Sequence, residues 1–337
     1  MAKTIFLVDD SDISLSQGEE ALEAHFKVMT LPSAAKMFSL MEKMLPDLIL
    51  LDIEMPDQNG FETMRLLKAH DIYAGIPVIF VTGRSDETAE ALGFELGAID
   101  FITKPFSPPI LVNRVKAHLS TDEKVRERTA QLWRLKNGII SVLADLVEDR
   151  DVTTGGHIER TATYIRILLN EMLEHKVYDG DIRGWDLETV ISSSRLHDVG
   201  KIRITDMILN KPGKLTSEEF DIIKTHTSEG EHIIDQISMR TGDELFLRQA
   251  RKFAGYHHEK WNGSGYPYRL AGEDIPLQGR IMAVADVYDA LVSERPYKKP
   301  FSHEESVDII MKDAGTHFDP HIAEVFFNAR NQFKAVE

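Results

Sequence analysis

Short apolar runs alternate with segments of helical spacing along residues 1–120, and the runs end in polar residues. Runs without a polar face indicate strands that are covered on both sides. Their alternation with helices predicts an α/β domain built on a doubly wound, five-stranded parallel sheet. The predicted strands span residues 4–8, 28–31, 47–51, 76–81 and 99–103, and the predicted helices span 11–26, 33–44, 60–69, 86–96 and a segment after Pro108-Pro109.

The polar residues that end these strands suit the binding of a phosphoryl group. They are Asp9, Asp10, Asp52, Thr82 and Lys104. Open parallel sheets place their sites at the carboxyl ends of the strands, so these side chains are expected to meet in one crevice. Three carboxylates repel one another unless a hard cation joins them, and Mg²⁺ prefers oxygen ligands. The pattern therefore predicts a phosphoryl group on one aspartate, with Mg²⁺, a lysine and a hydroxyl beside it.

Residues 1–120 resemble a response-regulator receiver domain. The resemblance is carried by Asp9-Asp10, by Leu-Leu-Asp-Ile-Glu-Met-Pro-Asp-Gln-Asn-Gly at 50–60, by Thr82-Gly83 and by Lys104-Pro105. It implies that Asp52 accepts a phosphoryl group from a sensor histidine kinase and that Lys104 binds that group. It also implies a Mg²⁺ site and a switch pair. The implied Mg²⁺ ligands are Asp9, Asp10, Asp52 and the carbonyl group of Glu54, and the implied switch residues are Thr82 and Phe101.

Residues 110–149 contain no strong helix breaker except Gly138. Apolar residues in this segment recur at alternating steps of three and four, which is the pattern of a two-stranded coiled coil. They are Leu132, Leu135, Ile139, Val142 and Leu146. A stripe that packs on the second domain explains the same spacing, so both interpretations stay open. We expect a homodimer, and we divide the chain into a receiver domain at 1–120, a helical linker at 121–145 and a second domain at 146–337.

Composition excludes several kinds of site. The chain of 337 residues has no cysteine, which excludes disulfides and thiol catalysis and leaves histidines and carboxylates as metal ligands. The net charge is −16, so no nucleic-acid partner is expected, because nucleic-acid binding relies on cationic neutralisation of phosphates. Apolar runs are too short to span a bilayer, and an export signal is missing from the N-terminus. We therefore expect a cytoplasmic protein with no membrane partner.

The second half of the chain has helical spacing throughout and places histidines at or inside the predicted helices. These all-α segments are expected at 161–172, 187–196, 218–236, 243–257 and 280–292. The candidate metal ligands are His157, His197, Asp198, His226, His257, His258 and Asp286. Neutral imidazoles and carboxylates of a helical domain suit Mn, Fe, Zn or Ni. Burying seven such groups without a metal would be electrostatically expensive.

The adjacent pair His197-Asp198 suggests two metals. Consecutive residues of a helix point about 100° apart, so the two side chains can reach neighbouring ions, and a carboxylate can bridge them. Two metals close together would polarise a phosphodiester. Lys201 follows one turn later and would neutralise phosphate charge. The spacing therefore predicts a binuclear site for phosphodiester hydrolysis, with His197, Asp198 and Lys201 at its centre.

These residues resemble the HD superfamily of metal-dependent phosphohydrolases. His197-Asp198-Val-Gly-Lys201 carries the resemblance, and His257-His-Glu-Lys-Trp-Asn-Gly-Ser-Gly-Tyr-Pro267 narrows it to the HD-GYP subfamily. The subfamily implies hydrolysis of cyclic di-GMP to linear pGpG, and in some members onward to GMP. It implies the seven metal ligands named above, with Asp198 bridging and Fe or Mn favoured over Zn or Ni. The residues expected at the substrate are Arg160, Lys201, Tyr266 and Lys298.

Two other functions stay open. An adaptor would keep the fold and the Gly-Tyr-Pro surface and would contact diguanylate cyclases without turnover. A hydrolase could also act on another cyclic dinucleotide. A departure from the family pattern bears on the metal count, because some members carry a glutamate four residues before the first histidine ligand that helps to hold a third metal. Thr153 occupies that position here, so we expect two metals and slow cleavage of pGpG.

Overall fold

The computed structural model describes residues 2–83, 87–150, 156–242, 244–294 and 299–336. The chain divides into two compact units, Met1–Leu132 and Trp133–Glu337. Each unit is described by itself below. Within the described residues, the helices lack the length and hydropathy required to cross a membrane.

The first unit is a parallel five-stranded sheet with strand order β2-β1-β3-β4-β5. Its strands are β1 (Thr4–Val8), β2 (Lys27–Leu31), β3 (Leu48–Asp52), β4 (Val78–Thr82) and β5 (Asp100–Thr103). The helices between them are α1 (Asp12–Leu22), α2 (Ala34–Met41), α3 (Gly60–Ala69) and α4 (Glu87–Glu95), and α5 (Pro108–Glu148) follows β5. The predicted doubly wound sheet is therefore confirmed.

Burial explains why the central strands read as continuous apolar runs. Every residue of β3 and β4 is buried, because helices cover both faces of the sheet. The register pairs Asp52 with Val81 and Thr82 with Thr103. The last residues of β3, β4 and β5 therefore lie at one edge of the sheet, as expected of parallel strands.

The second unit is helical. Its helices are α6 (His157–Glu174), α7 (Asp179–Ile182), α8 (Leu187–Ser194), α9 (Asp206–Leu209), α10 (Ser217–Lys224), α11 (His226–Thr241), α12 (Glu244–Tyr256), α13 (Leu277–Val292), α14 (His303–Lys312) and α15 (Pro320–Lys334). Two 3₁₀ helices, Val199–Arg203 and Gly272–Asp274, interrupt the connections. The predicted all-α second domain is confirmed.

A buried aromatic cluster holds α6, α13 and α15 together. The ring of Tyr164 stacks on Phe333 with 4.6 Å between centroids, and Tyr288 meets Phe333 edge-on at 5.1 Å. All three side chains are fully buried. Aromatic pairs of this kind stabilise a core beyond their area alone. The cluster therefore fixes α6, which begins at His157, and α13, which carries Asp286.

Helices α1 and α2 end at Leu22 and Met41, three to four residues before their predicted ends, and two predicted helices of the second unit also differ from their predicted bounds. Helix α8 was expected to reach residue 196 but ends at Ser194, where the hydroxyl groups of Ser193 and Ser194 donate to carbonyl groups three residues earlier. Such bonds compete with the backbone ladder of a helix. The helix expected at 218–236 is two helices, α10 and α11, that meet at Thr225. The break makes His226 the first residue of α11.

The two faces of α5 differ sharply in exposure. Ile140, Ala144 and Val147 are buried. Asn137 accepts a hydrogen bond from Ser192 Oγ at 2.6 Å, and Lys136 Nζ lies 4.2 Å from the centre of the Phe246 ring. The residues of the predicted seam are 51% to 66% exposed instead, so this stripe lies on the open face of the helix among the described residues. They are Leu132, Leu135, Ile139, Val142 and Leu146.

Candidate metal centre

The sheet edge of the first unit collects three carboxylates. Oxygens of Asp9, Asp10 and Asp52 lie within 4.8 Å of one another. Lys104 Nζ lies 2.5 Å from Asp9 Oδ2 and 2.8 Å from Asp52 Oδ2. Burial raises the pKa of Asp52 despite the nearby lysine. Burial works to lower the pKa of Lys104, but its hydrogen bonds to Asp52 and Asp9 outweigh that effect and raise it. The concentrated negative charge suits a hard cation.

The other receiver residues predicted from sequence surround this edge. Thr82 is buried at the end of β4, and Phe101 is buried in β5. A Cβ on Gly93 would lie 2.2 Å from the Phe101 ring, so α4 approaches that ring closely. Glu54 follows β3, and its backbone N–H faces Asp52 Oδ1 at 3.4 Å. The structure thus brings the predicted residues to the same end of the sheet.

In the second unit, five separate chain segments supply the candidate ligands. His157 begins α6 and His226 begins α11. His257 and His258 directly follow α12, and Asp286 lies within α13. His197 and Asp198 were expected on a helix, but they lie in the turn between α8 and the 3₁₀ helix. The turn still presents both side chains to the same site.

The ligands form two groups joined by Asp198. Candidate ligand atoms of His226, His257 and His258 lie within 4.8 Å of one another, and so do those of His157, His197 and Asp198. Asp198 Oδ1 lies 3.3 Å from His226 Nε2, and its Oδ2 lies 3.4 Å from His197 Nε2. One carboxylate therefore faces both groups, as a bridging ligand would.

Asp286 joins the group around His157. Its Oδ1 lies 3.5 Å from His157 Nε2. All seven predicted ligands are thus brought together.

Contacts with backbone carbonyl groups show that Nδ1 carries a hydrogen in three of the imidazoles. His226 Nδ1 lies 2.7 Å from the carbonyl oxygen of Ile223, and His197 Nδ1 lies 3.1 Å from that of Ser194. His257 Nδ1 makes the same kind of contact with Phe253 at 2.9 Å. A carbonyl oxygen only accepts, so each Nδ1 carries a hydrogen, and in the neutral imidazole Nε2 then presents a lone pair.

The Nε2 atoms face one another across short distances. His226 Nε2 lies 3.2 Å from His257 Nε2, and His157 Nε2 lies 3.4 Å from His197 Nε2. Lone pairs at this separation repel unless a proton or a cation stands between them. In addition, Asp198 Oδ1 is buried and has no hydrogen-bond partner among the described residues. The donor set therefore fits divalent metals of the kind that accept imidazole and carboxylate ligands.

The pKa values favour ligands that are already deprotonated. Burial lowers the pKa of His226 to about 4, and burial with neighbouring histidines lowers that of His258 well below its usual range. Burial works to raise the pKa of Asp198, but Lys201 and His197 outweigh it and hold that pKa well below its usual range. Metals bind the neutral imidazole and the ionised carboxylate, so His226, His258 and Asp198 are in the forms that bind. His157 differs, because burial works to lower its pKa but the hydrogen bond to Asp289 outweighs that effect and raises it.

Lys201 contacts the bridging carboxylate directly. Lys201 belongs to the 3₁₀ helix Val199–Arg203, and its Nζ lies 2.8 Å from Asp198 Oδ2. A Cβ on Gly200 would lie 1.8 Å from the carbonyl oxygen of His226, so this helix rests on the first turn of α11 with no side chain between them. Both contacts hold the predicted catalytic lysine at the metal ligands.

Arg160 was predicted to contact substrate, and the structure places its guanidinium against Asp289. The distances are 2.6 Å from Nε to Oδ1 and 2.9 Å from Nη2 to Oδ2. Asp289 is fully buried and also lies 2.8 Å from His157 Nδ1. A carboxylate on the far nitrogen of a histidine ligand fixes its orientation. Sequence analysis assigned no role to Asp289, although its position one helical turn after Asp286 was a usable signal.

Tyr266 lies against the metal ligands. Its ring stacks on His258, with 4.7 Å between centroids. The preceding glycine makes this possible, because a Cβ on Gly265 would lie 2.3 Å from the backbone nitrogen of Lys260. Buried Glu259 accepts hydrogen bonds from the backbone N–H groups of residues 268–270, which holds the other end of the loop. Sequence analysis assigned no role to Glu259.

Two residues used in the sequence argument lie outside the described residues. They are Lys298, predicted at the substrate, and Thr153, which occupies the position of a third-metal ligand.

Comparison with known proteins identifies both units. The profile of the HD domain family matches residues 141–322, and that of the response regulator receiver domain matches residues 5–116. The chain therefore belongs to the family of response regulators in which a receiver domain precedes an HD domain.

Relatives that are named as phosphodiesterases match most of the chain or a little more than half of it. A probable cyclic di-GMP phosphodiesterase of Vibrio cholerae is 37% identical over 98% of this chain and 78% of its own length. The cyclic di-GMP phosphodiesterase response regulator RpfG of Xanthomonas campestris is 34% identical over 86% of this chain and 77% of its own. A 3′3′-cGAMP-specific phosphodiesterase 2 of Vibrio cholerae is 40% identical over 58% of this chain and 35% of its own.

Replacing Asp289 by asparagine tests its effect on the metal centre. The amide cannot supply the negative charge beside His157, so we expect Asp289→Asn to bind Mn²⁺ about 10- to 100-fold more weakly. Competition with a chromogenic chelator measures the affinity for Mn²⁺. Asp235→Asn is the control, because Asp235 pairs with Arg251 instead. Equal affinities of wild type and Asp289→Asn would contradict the assignment.

Proposed function

We propose that the protein is a metal-dependent phosphodiesterase that hydrolyses cyclic di-GMP to pGpG and is regulated by phosphorylation of Asp52. The convergence of imidazole Nε2 atoms and Asp198 Oδ1 carries the proposal. An adaptor that only binds partner proteins has no use for such lone pairs, which cost free energy unless cations join them. The relatives named as cyclic di-GMP phosphodiesterases support the choice of reaction.

Two divalent ions would be held by the seven ligands, with Asp198 shared. Fe or Mn suits this donor set best, and Zn or Ni is compatible with it. When bound, such a pair supplies Lewis-acid polarisation of the phosphodiester and lowers the pKa of water. Lys201 holds Asp198 in its ionised form and places an ammonium group where phosphate charge would lie. Tyr266 covers His258 and would orient the substrate from the loop side.

A second candidate substrate is 3′3′-cGAMP, because the relative named for that activity is 40% identical over 58% of this chain. Purified protein loaded with Mn²⁺ or Fe²⁺ should be assayed on cyclic di-GMP and 3′3′-cGAMP in parallel, with products separated by chromatography. Preferential formation of pGpG, with slow conversion to GMP, supports the first proposal. Turnover of neither nucleotide would contradict both.

The first prediction from the proposed function concerns the bridging pair. His197→Ala/Asp198→Ala should abolish turnover and reduce bound metal from two ions per chain, because no neighbouring residue replaces the shared carboxylate. Metal analysis measures the metal content. Circular dichroism measures the helix content, which should stay unchanged. His175→Ala/Asp179→Ala on the surface is the control. Full activity of the first variant would contradict the proposal.

The number of metal ions bound per chain is a separate test of the proposed site. We expect two ions, whereas three fully occupied ions would require another oxygen ligand. Glu148 is the residue to examine in that case, because its buried Oε1 has no hydrogen-bond partner among the described residues. It borders a cavity that is also lined by His157, Asp198 and Lys201. Glu148→Gln would then reduce the count to two.

For the first unit, we propose that a sensor histidine kinase phosphorylates Asp52 with Mg²⁺ bound beside Asp9 and Asp10. The carboxylate cluster and the pairing of Lys104 with Asp9 and Asp52 support this assignment. A phosphoryl group on Asp52 would take Lys104 as its counter-ion.

The second prediction tests regulation through Asp52. Acetyl phosphate with Mg²⁺ should change the rate of hydrolysis about 5- to 150-fold, the usual range of an allosteric coupling. Asp52→Asn should remove that response. Asp57→Asn, at an exposed aspartate nearby, should retain it. The receiver does not regulate through Asp52 if wild type and Asp52→Asn behave alike with and without the donor.

We propose further that the exposed seam of α5 joins two copies of the chain. The stripe follows heptad spacing, and its side chains are exposed although they are large and apolar. Exposed apolar stripes of this kind mark interaction surfaces.

The third prediction therefore concerns the oligomer. Ile139→Asp/Val142→Asp should convert a dimer into a monomer, because the charges would meet across the seam. Light scattering after gel filtration measures the mass. Ile13→Asp, at an exposed apolar residue of α1, is the control and should stay dimeric. A monomeric wild type would contradict the seam.

A further inference from the structure

Arg150 makes an unusually dense set of contacts just beyond α5. Its Nη1 donates to the carbonyl oxygen of Ile202 at 2.9 Å, and its Nη2 donates to that of Ile204 at 2.9 Å. Nη2 also lies 2.7 Å from Asp206 Oδ1. The backbone carbonyl group of Arg150 accepts a hydrogen bond from Asn210 at 2.7 Å. One side chain thus holds the chain from residue 202 to residue 206.

The bonded carbonyl groups lie at the end of the 3₁₀ helix Val199–Arg203. The last carbonyl groups of a helix lack partners within it and need donors from elsewhere. The guanidinium group supplies them, because its planar fork offers several N–H donors at fixed angles. Arg150 therefore caps this helix from outside.

The capped helix carries a predicted catalytic group. It begins directly after Asp198 and contains Lys201, whose Nζ lies 2.8 Å from Asp198 Oδ2. Its Gly200 rests against the backbone of α11, so the start of the helix is fixed by close packing. At the end of the helix, Arg150 bonds the carbonyl groups of Ile202 and Ile204, and Arg203 Nε lies 4.0 Å from Glu229 Oε2.

We propose that Arg150 is a positioning residue for catalysis, acting through the 3₁₀ helix on Lys201 and Asp198. This inference rests on the proposed phosphodiesterase function. Arg150 does not reach the substrate itself. It fixes the backbone that sets the direction of the Lys201 side chain.

The hydrogen bonds from Arg150 to the carbonyl groups matter more for this positioning than its ion pair with Asp206 does. Asp206 is 70% exposed, and an exposed ion pair contributes little. A lysine at position 150 could still pair with Asp206, but a single nitrogen would not bond both carbonyl groups in the same geometry. Arg150→Lys should therefore resemble Arg150→Ala, and Asp206→Asn should resemble wild type.

The test compares full-length proteins loaded with Mn²⁺. Arg150→Ala should lower kcat for cyclic di-GMP roughly 10- to 100-fold and leave KM within about twofold, because misplacement affects the reacting geometry more than binding. Bound metal should stay at the wild-type level. Amide hydrogen exchange should become faster in residues 199–206. Added guanidinium ion should restore part of kcat.

Arg166→Ala is the matched control, because Arg166 makes a bidentate pair with Glu188 away from the site. It should behave as wild type in every measurement and show no guanidinium rescue. Wild-type kcat in Arg150→Ala would overturn the proposal, as would a loss of kcat without guanidinium rescue. A wild type that fails to hydrolyse cyclic di-GMP would overturn the proposed function first, which separates the two failures.

Discussion

The buried carboxylate of Asp198 is the group on which the second unit depends. Taking an ion out of water costs several kcal/mol even after the surroundings relax. Lys201 offsets part of this cost on Oδ2, whereas Oδ1 is left to the imidazoles of His226 and His257. Burial lowers the pKa of His226 to about 4, so that imidazole adds no positive charge. Cations complete the balance, which makes metal binding part of the electrostatics of folding as well as of catalysis.

This balance needs a rigid surrounding. Neutral histidines stay neutral only where burial is maintained, and burial of His226 and His258 comes from α11, α12 and the Tyr266 loop. The aromatic cluster between α6, α13 and α15 holds His157 and Asp286 from the other side. Asp289 adds a second constraint by fixing His157. Packing far from the site thereby determines the distances between ligand atoms.

Sequence reasoning recovered what depends on local pattern. Apolar runs with polar ends located Asp52 and Lys104, because the carboxyl ends of parallel strands must meet. Adjacent His197-Asp198 indicated a shared site, although both lie in a turn that begins where serine hydroxyl groups end α8. Spacing alone left two interpretations of the α5 stripe, because a heptad pattern does not state which face is covered. The structure leaves that stripe exposed, and the two-stranded seam stays a prediction.

Sequence reasoning failed where a residue acts through distant contacts. Glu259 holds backbone N–H groups about ten positions away, and Arg150 holds carbonyl groups more than fifty positions away. Neither side chain carries a recognisable spacing, since a hydrogen bond to backbone requires no particular residue type in its partner. At Arg160 the motif indicated a substrate contact, which stays a prediction, and gave no sign of the pairing with Asp289. Such roles become visible only in three dimensions.

The inner face of α5 has a consequence for how such proteins can be recombined. Lys136, Asn137 and Ile140 belong to the second unit and pack on its other helices, and Ala144 borders its cavity. The last part of this helix is therefore part of the hydrolase. A chimera that joins a foreign sensor to this output must keep the helix from Lys136 onward, since a splice placed later would remove a wall of the catalytic chamber along with the connection.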